Sequence, residues 1–207
     1  MSKLDAFLYK YRGYILGLFA VCVLLCPPFP LFEQDSGTFS MYLQEVLSFG
    51  VLGVFLRVKA RQHIGDHSRG SKHEADELVT SGVYAYMRHP LYISNTIIIW
   101  EMLILHLGFS PLMLVLASVG GYFEMKLANI EDRFLESRFG DVWRTWASRT
   151  GYFPSLSSFW GEKGKKIRAL SNRIPPKRTF MQAFYADRST WAWLLFCNLL
   201  LILRKVF

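Results

Sequence analysis

Between Leu31 and Leu56, and again between Leu91 and Met125, the chain has no lysine or arginine. All 24 basic residues fall in 1–12, 57–88, 126–188 and 204–205. A water-soluble fold spreads charge over the outer face of each element, so this segregation excludes an ordinary soluble domain and points to an integral membrane protein. Cysteine is scarce, at three residues, which excludes a disulfide framework. Cys22 and Cys26 lie one helical turn apart in one apolar run and Cys197 lies in another. With no second pair and no histidines at ligand spacing, they read as buried small hydrophobes, and no metal site is expected. No cysteine lies near the C-terminus for prenylation of the chain itself. Gly-x-Gly-x-x-Gly is also missing, and Gly161-Glu162-Lys163-Gly164-Lys165-Lys166 has neither the spacing nor the Ser/Thr of a phosphate loop.

What is present is apolar length. Four stretches approach or reach the roughly 20 residues that cross a bilayer. They are Gly13–Phe32, with Pro27, Pro28 and Pro30 bending or ending it, then Phe39–Leu56, Leu91–Leu107 and Phe109–Leu127. Only Gly108 separates the last two, which predicts a tight helical hairpin. Trp191–Leu203 is short, and either spans with Arg204 and Lys205 snorkelling or lies partly in the interface. Pro27-Pro28-Phe29-Pro30, rather than a small-x-small cleavage site, follows the first run, which favours an anchor over a signal peptide. The expected fold class is all-α: one polytopic membrane protein of about five transmembrane helices.

The basic residues orient it. The loop at 33–38 carries Glu33 and Asp35 and no base. Residues 57–90 carry Arg57, Lys59, Arg61, Arg69, Lys72 and Arg88, and residues 126–188 carry 13 bases against six acids. The N-terminus and both basic regions are therefore expected in the cytosol, and a fifth span puts the C-terminus outside. The net charge of +8 is mostly this asymmetry; it favours anionic lipid headgroups and requires no nucleic acid.

Residues 128–146 read as an amphipathic helix, with Ile130, Phe134, Val142, Trp143 and Trp146 as its apolar stripe and Phe139-Gly140 interrupting it. An interfacial helix explains those aromatics but not the adjacent acids Glu131-Asp132 where it leaves the membrane. Arg88-His89-Pro90, alone, is a positive flank with a proline helix start. The informative feature is the order: Leu78-Val79-Thr80-Ser81-Gly82-Val83-Tyr84, then Arg88-His89-Pro90-Leu91-Tyr92, an apolar hairpin, and Glu131-Asp132 with Phe139-Gly140, Trp143 and Trp146.

In that order the chain resembles the isoprenylcysteine carboxyl methyltransferase and phospholipid methyltransferase superfamily of integral membrane enzymes, over about residues 50–155. Arg57, Ala60 and His63-Ile64-Gly65 are similar to the family's approach to the motif. The resemblance implies S-adenosylmethionine, held on the cytosolic face by Gly82, Val83, Tyr84, Arg88, His89, Tyr92 and Glu131. Asp132 takes the second acidic position, and Arg88, Glu131 and Asp132 are the candidate catalytic residues. It also divides the chain into a methyltransferase core, 1–155, and a basic segment with a C-terminal apolar helix, 156–207.

The chemistry agrees. Glu131 can hold an ammonium, Arg88 or His89 a carboxylate, Gly82 permits close backbone approach, and Tyr84, Tyr86 and Tyr92 offer ring faces. The chain departs from the family at Val83 in place of proline, at Trp143 and Trp146 in place of tyrosines, and at Asp132, a methylene shorter than glutamate. Ser94 stands where glycine is frequent, which predicts less intimate helix packing. Glu101 falls near mid-membrane, where an ionised carboxylate costs at least about 2.5 kcal/mol. It is neutral, paired or cavity-facing, and either recognises a substrate headgroup or bonds His106, Ser118 or another chain.

A carboxylate acceptor needs only a cation such as Arg88, Arg133 or Arg138 to place it, whereas an amine needs a base, Asp132 or Glu131. The arginines favour a carboxylate on a lipophilic substrate that arrives from the bilayer. Three other readings are phospholipid amine N-methylation, an NADPH-dependent sterol-type reductase, which generally needs more spans, and a non-enzymatic scaffold or small transporter, which leaves the paired motifs as coincidence. The expected location is the inner membrane of a bacterium or the endoplasmic reticulum of a eukaryote, with membrane lipids as partners.

Overall fold

The computed structural model describes residues 2–27, 36–64 and 75–206. Pro28 and Pro30, the acidic loop with Glu33 and Asp35, Gly65, Arg69 and Lys72 lie outside the described residues. The chain forms α1 (Lys3–Leu25), α2 (Ser36–His63), a short 3-10 turn (Gly82–Ala85), α3 (Pro90–Leu107), α4 (Pro111–Phe139), α5 (Asp141–Ala147), a second 3-10 turn (Leu156–Ser158), α6 (Gly161–Ser171), α7 (Phe180–Ala186) and α8 (Arg188–Val206). No strand occurs among the described residues.

Each boundary has a local cause. Ser2 caps α1, accepting from the Asp5 amide at 3.0 Å. Pro90 and Pro111 occupy first-turn positions, where a missing N–H costs nothing. The hairpin between α3 and α4 is the expected one: Gly108 adopts φ +59°, open chiefly to glycine, and the Ser110 hydroxyl accepts from the Met113 amide at 3.1 Å.

Among the described residues three helices, α1, α3 and α4, are long and apolar enough to cross a membrane. Two differ from the sequence reading. α1 begins ten residues before Gly13, because its capping box stabilises a start ahead of the apolar run. α4 continues without a break into the amphipathic segment. Its 29 residues, about 44 Å at 1.5 Å per residue, exceed a ~30 Å hydrocarbon core, so Glu131 and Asp132 ride on an emergent end. Gly140, at φ +53°, then turns the chain into α5.

α3 is the centre of the bundle, packing against α2, α4 and α8. Leu103, Leu105 and Leu107 are buried, whereas Leu18, Val21 and Leu25 of α1, Leu114, Val115 and Val119 of α4, and Leu195, Phe196 and Leu199 of α8 are exposed. An apolar outer surface on these helices is what lipid contact requires, and the chain is an integral membrane protein.

The looser packing expected at Ser94 is not found. Ser94 is fully buried and its hydroxyl donates to the Gly53 carbonyl of α2 at 2.8 Å. Close approach is provided from the opposite helix instead: a Cβ at Gly53 would lie 3.0 Å from both Ile97 Cγ2 and Ile98 Cγ1. Small residues on one helix and an interhelical hydrogen bond on the other give the same intimate α2–α3 contact.

Candidate functional site

The helix ends that carry the motifs come together at one end of the bundle. The 3-10 turn is held from three sides. His63 Nδ1 lies 3.1 Å from the Ser81 hydroxyl, Ser171 of α6 donates to the Gly82 carbonyl at 3.0 Å, and Trp146 Nε1 of α5 donates to the Tyr84 carbonyl at 3.2 Å. Gly82 has φ +60°, and a Cβ there would strike the His63 ring. Glycine is thus needed both for the turn and for the imidazole beside it.

Arg88 ties this turn to the emergent helices. Its Nη1 donates to the carbonyls of Ala147 and Thr150 at 3.3 and 3.2 Å, its amide donates to Gly151 O at 2.9 Å, and its Nη2 lies 3.4 Å from Asp132. The guanidinium caps the end of α5, a favourable place for a cation. His89 Nε2 is 2.9 Å from Asp132 Oδ1, close but not aligned as a hydrogen bond. Asp132 therefore positions the Arg-His pair from below. Tyr92, which closes the first motif, and Glu131, which opens the second, interact where α3 meets α4.

These groups face a cavity of about 1160 Å³. Tyr84, Arg88, His89, Tyr92 and Glu131 line it, with Phe134 and Trp146 adding aromatic wall and Arg57, Arg61 and Asp187 a polar floor. Gly82, Val83 and Asp132 do not line it; the first and last support the residues that do. The Tyr84 hydroxyl and Arg88 Nε are buried behind the wall without a hydrogen-bond partner. Burial, with Glu131 adding to it, pushes the Tyr84 phenol well up, and burial raises Tyr152 to about 12, with Glu124 and Asp132 adding. Both phenols remain neutral near pH 7.

A second, apolar cavity of about 750 Å³ continues from the first. α1, α3 and α8 form its walls through residues such as Phe19, Val23, Ile98, Leu103 and Trp193. Arg12, Tyr14, Arg57, Tyr92, Asn95, Ser189 and Thr190 line both spaces and form the neck between them.

The candidate substrate residues lie elsewhere. Glu101 is buried but lines neither cavity; it packs against Gly50 of α2, where a Cβ would fall 2.9 Å from its Cγ. Its Oε2 is buried without a hydrogen-bond partner, while Ser118 bonds to the Leu114 carbonyl of its own helix. Arg133 Nη2 instead pairs with Asp5 at 2.9 Å, joining α4 to the start of α1. Arg138 is exposed and lines neither cavity. Arg133 and Arg138 miss the cavities because α4 turns its Glu131 side towards them, and Glu101 misses them because that part of α3 faces α2.

The sequence marks Arg57 only as part of the approach to the motif and gives the floor as a whole no role. Arg57 and Arg61 occur at helical i,i+4 spacing, a signal that both share one face of α2, yet they read as positive-inside charge. Asp187, 130 residues beyond Arg57, gave no signal. Among the described residues no group of three or more His, Cys, Asp or Glu is placed to hold a metal ion.

An emergent Arg-His turn thus faces a Glu-Asp helix over a chamber that opens among apolar helices. The family model described as phospholipid methyltransferase matches residues 46–142, and the chain belongs to that family of membrane methyltransferases. It is 32% identical over 173 residues to the cobalt-zinc-cadmium resistance protein CzcN of Cupriavidus metallidurans, covering 81% of this chain and 75% of that protein. It is also 32% identical over 131 residues to protein-S-isoprenylcysteine O-methyltransferase of Schizosaccharomyces pombe, covering 61% of this chain and 55% of the relative. No solved structure gives a significant match.

Proposed function

We propose that this protein transfers a methyl group from S-adenosylmethionine to a carboxylate on a lipophilic acceptor. The observation that carries the reading is the junction of two unlike spaces, a polar chamber walled by the Arg-His and Glu-Asp motifs and an apolar one between α1, α3 and α8.

The polar wall suits this cofactor. Glu131 would hold the ammonium by a charge-assisted bond, and Arg88 or His89 the carboxylate. Tyr84, Phe134 and Trp146 would flank the adenine. The bound sulfonium supplies an electrophilic methyl group. When bound, it would offer that methyl to a carboxylate oxygen placed in line, with the S–CH3 electron pair returning to sulfur. No proton moves, so the protein's task is to align the reactants and keep water out. Orientation by positive charge puts this chamber on the cytosolic face, with the acceptor arriving sideways from the bilayer.

The test is transfer of tritiated methyl from S-adenosylmethionine to lipids of the membrane that holds the full-length protein. The expected product releases volatile tritium, as methanol, on treatment with alkali. Alkali-stable label in amine headgroups would instead favour phospholipid N-methylation, the reading that the matching family's description supports. No transfer together with NADPH binding would favour a reductase, and neither activity a scaffold.

A further inference from the structure

The neck between the two cavities contains a polar chain that the motifs do not explain. Arg57 Nε donates to Asp187 Oδ2 at 2.8 Å and its Nη1 donates to Asn95 Oδ1 at 2.5 Å. Asn95 Nδ2 in turn donates to both carboxylate oxygens of Glu124 at 3.2 Å. Arg61 Nε meets the same Asp187 oxygen at 3.0 Å. Helices α2, α3 and α4 and the start of α8 thus converge on one guanidinium.

A buried ionic chain is a poor way to gain stability, because desolvating its charges costs about as much as their attraction returns. It is a good way to fix a cation in one orientation. Two of the N–H groups of Arg57 are committed to Asp187 and Asn95, and its side chain, 12% exposed, lines the polar and the apolar cavity alike. The remaining N–H groups of the fork are offered to whatever occupies the neck. The Tyr84 hydroxyl, buried without a partner, lies within electrostatic reach of the same arginine.

We infer that Arg57, oriented by Asp187 and Asn95, is the acceptor-recognition residue, taking the carboxylate of a single-chain lipophilic acid whose apolar tail lies in the groove between α1, α3 and α8. The match is one of charge and position. An acid on an apolar chain wants a fixed cation at the mouth of an apolar slot, and the neck is where this molecule has one. Asp187 lies outside the family-matched residues 46–142, so the recognition device is partly built from this chain's own C-terminal segment. The inference rests on the methyl-transfer reading for its place in a reaction, but its binding test does not.

The full-length protein in detergent micelles is assayed for retention of tritiated oleate and of tritiated methyl oleate, which share a tail and differ in charge. Tritiated S-adenosylmethionine is measured in parallel. A charge-assisted hydrogen bond predicts oleate binding at least about tenfold tighter than its ester. Arg57→Gln should abolish that preference and leave the affinity for the ester within about twofold. Asp187→Asn and Asn95→Ala, which leave Arg57 present but unclamped, should lower the preference by about threefold or more, so the result stands even where Arg57→Gln does not fold. Equal affinity for acid and ester in the unaltered protein, or an undiminished preference in the variants, overturns the inference. Loss of S-adenosylmethionine binding with the acid preference intact would instead sink the methyl-transfer reading alone.

Discussion

Glu131 and His63 show how much rests on single side chains. Glu131 is shared between Tyr92 and the cavity. Glu131→Gln keeps the shape but removes the charge, so we expect S-adenosylmethionine affinity to fall by about 10- to 100-fold, the worth of a hydrogen bond to an ion. Equilibrium binding of labelled cofactor to the purified variant measures this; unchanged affinity would remove Glu131 from the ammonium site. His63 gives a pH dependence. Burial, helped by Lys59, lowers its pKa below the ordinary 6.5. The unfolded chain therefore takes up the proton first. The stability that neutral His63 provides is fully present above about pH 6.5 and is lost as pH falls through the depressed native value. Tm should drop between pH 7 and pH 5, and His63→Gln should flatten that part of the profile. A parallel fall in both proteins would place the sensitivity elsewhere. The Arg-His and Glu-Asp pairs were legible in the sequence because each is a compact run of unusual residues at a membrane boundary. Arg57 was visible as a positive-inside charge on the approach to the motif but not as a clamped cation, since its partners stand 38 and 130 residues away and one sequence carries no record of such pairings.

At the scale of elements, the α2–α3 contact depends on a missing side chain. Gly53→Val would drive its added methyls against Ile97, Ile98 and the Ser94 carbonyl, where even a Cβ is tight. Overpacking of this kind costs about 1–3 kcal/mol. We expect a lower Tm and, because α2 carries Arg57 and α3 carries Tyr92, a weaker grip on both ligands; a thermal melt and a cofactor binding curve report the two effects. A Tm equal to that of the unaltered protein would show that α2 can slide. Hydropathy located both ends of α3 and the start of α4 to within a turn, because apolar length is what the bilayer selects, but it placed the start of α1 ten residues late. It missed the continuation of α4 to Phe139, since charge at Lys126, Glu131 and Asp132 marks the exit from lipid and not the end of the helix. The intimate packing at Ser94 was illegible for a related reason: the compensating glycine is on another helix.

The molecule as a whole is an α-helical bundle whose chemistry is gathered at one end. On the proposed orientation, positive charge would put that end in the cytosol. Cysteines introduced singly at Ser157 and Ser171 should react with a membrane-impermeant maleimide in inverted vesicles and not in intact cells. Labelling in intact cells would reverse the orientation. The C-terminal segment is part of this end rather than an appendage. Ser171 bonds to the Gly82 carbonyl, the Arg178 amide and Nη1 donate to the last carbonyls of α2, and Asp187 meets Arg57 and Arg61.

The common neck of the two cavities bears on turnover. On the proposed reaction, esterification erases the acid's negative charge while leaving its tail unchanged. The product would therefore lose its hold on the guanidinium yet keep its preference for the apolar slot and the lipid beyond, so neutralisation itself would act as the exit signal. Such an enzyme should be inhibited far less by its ester than by a non-reactive acid analogue of the same chain length, such as a sulfonate. Inhibition of methyl transfer by that matched pair would reveal whether release is driven in this way.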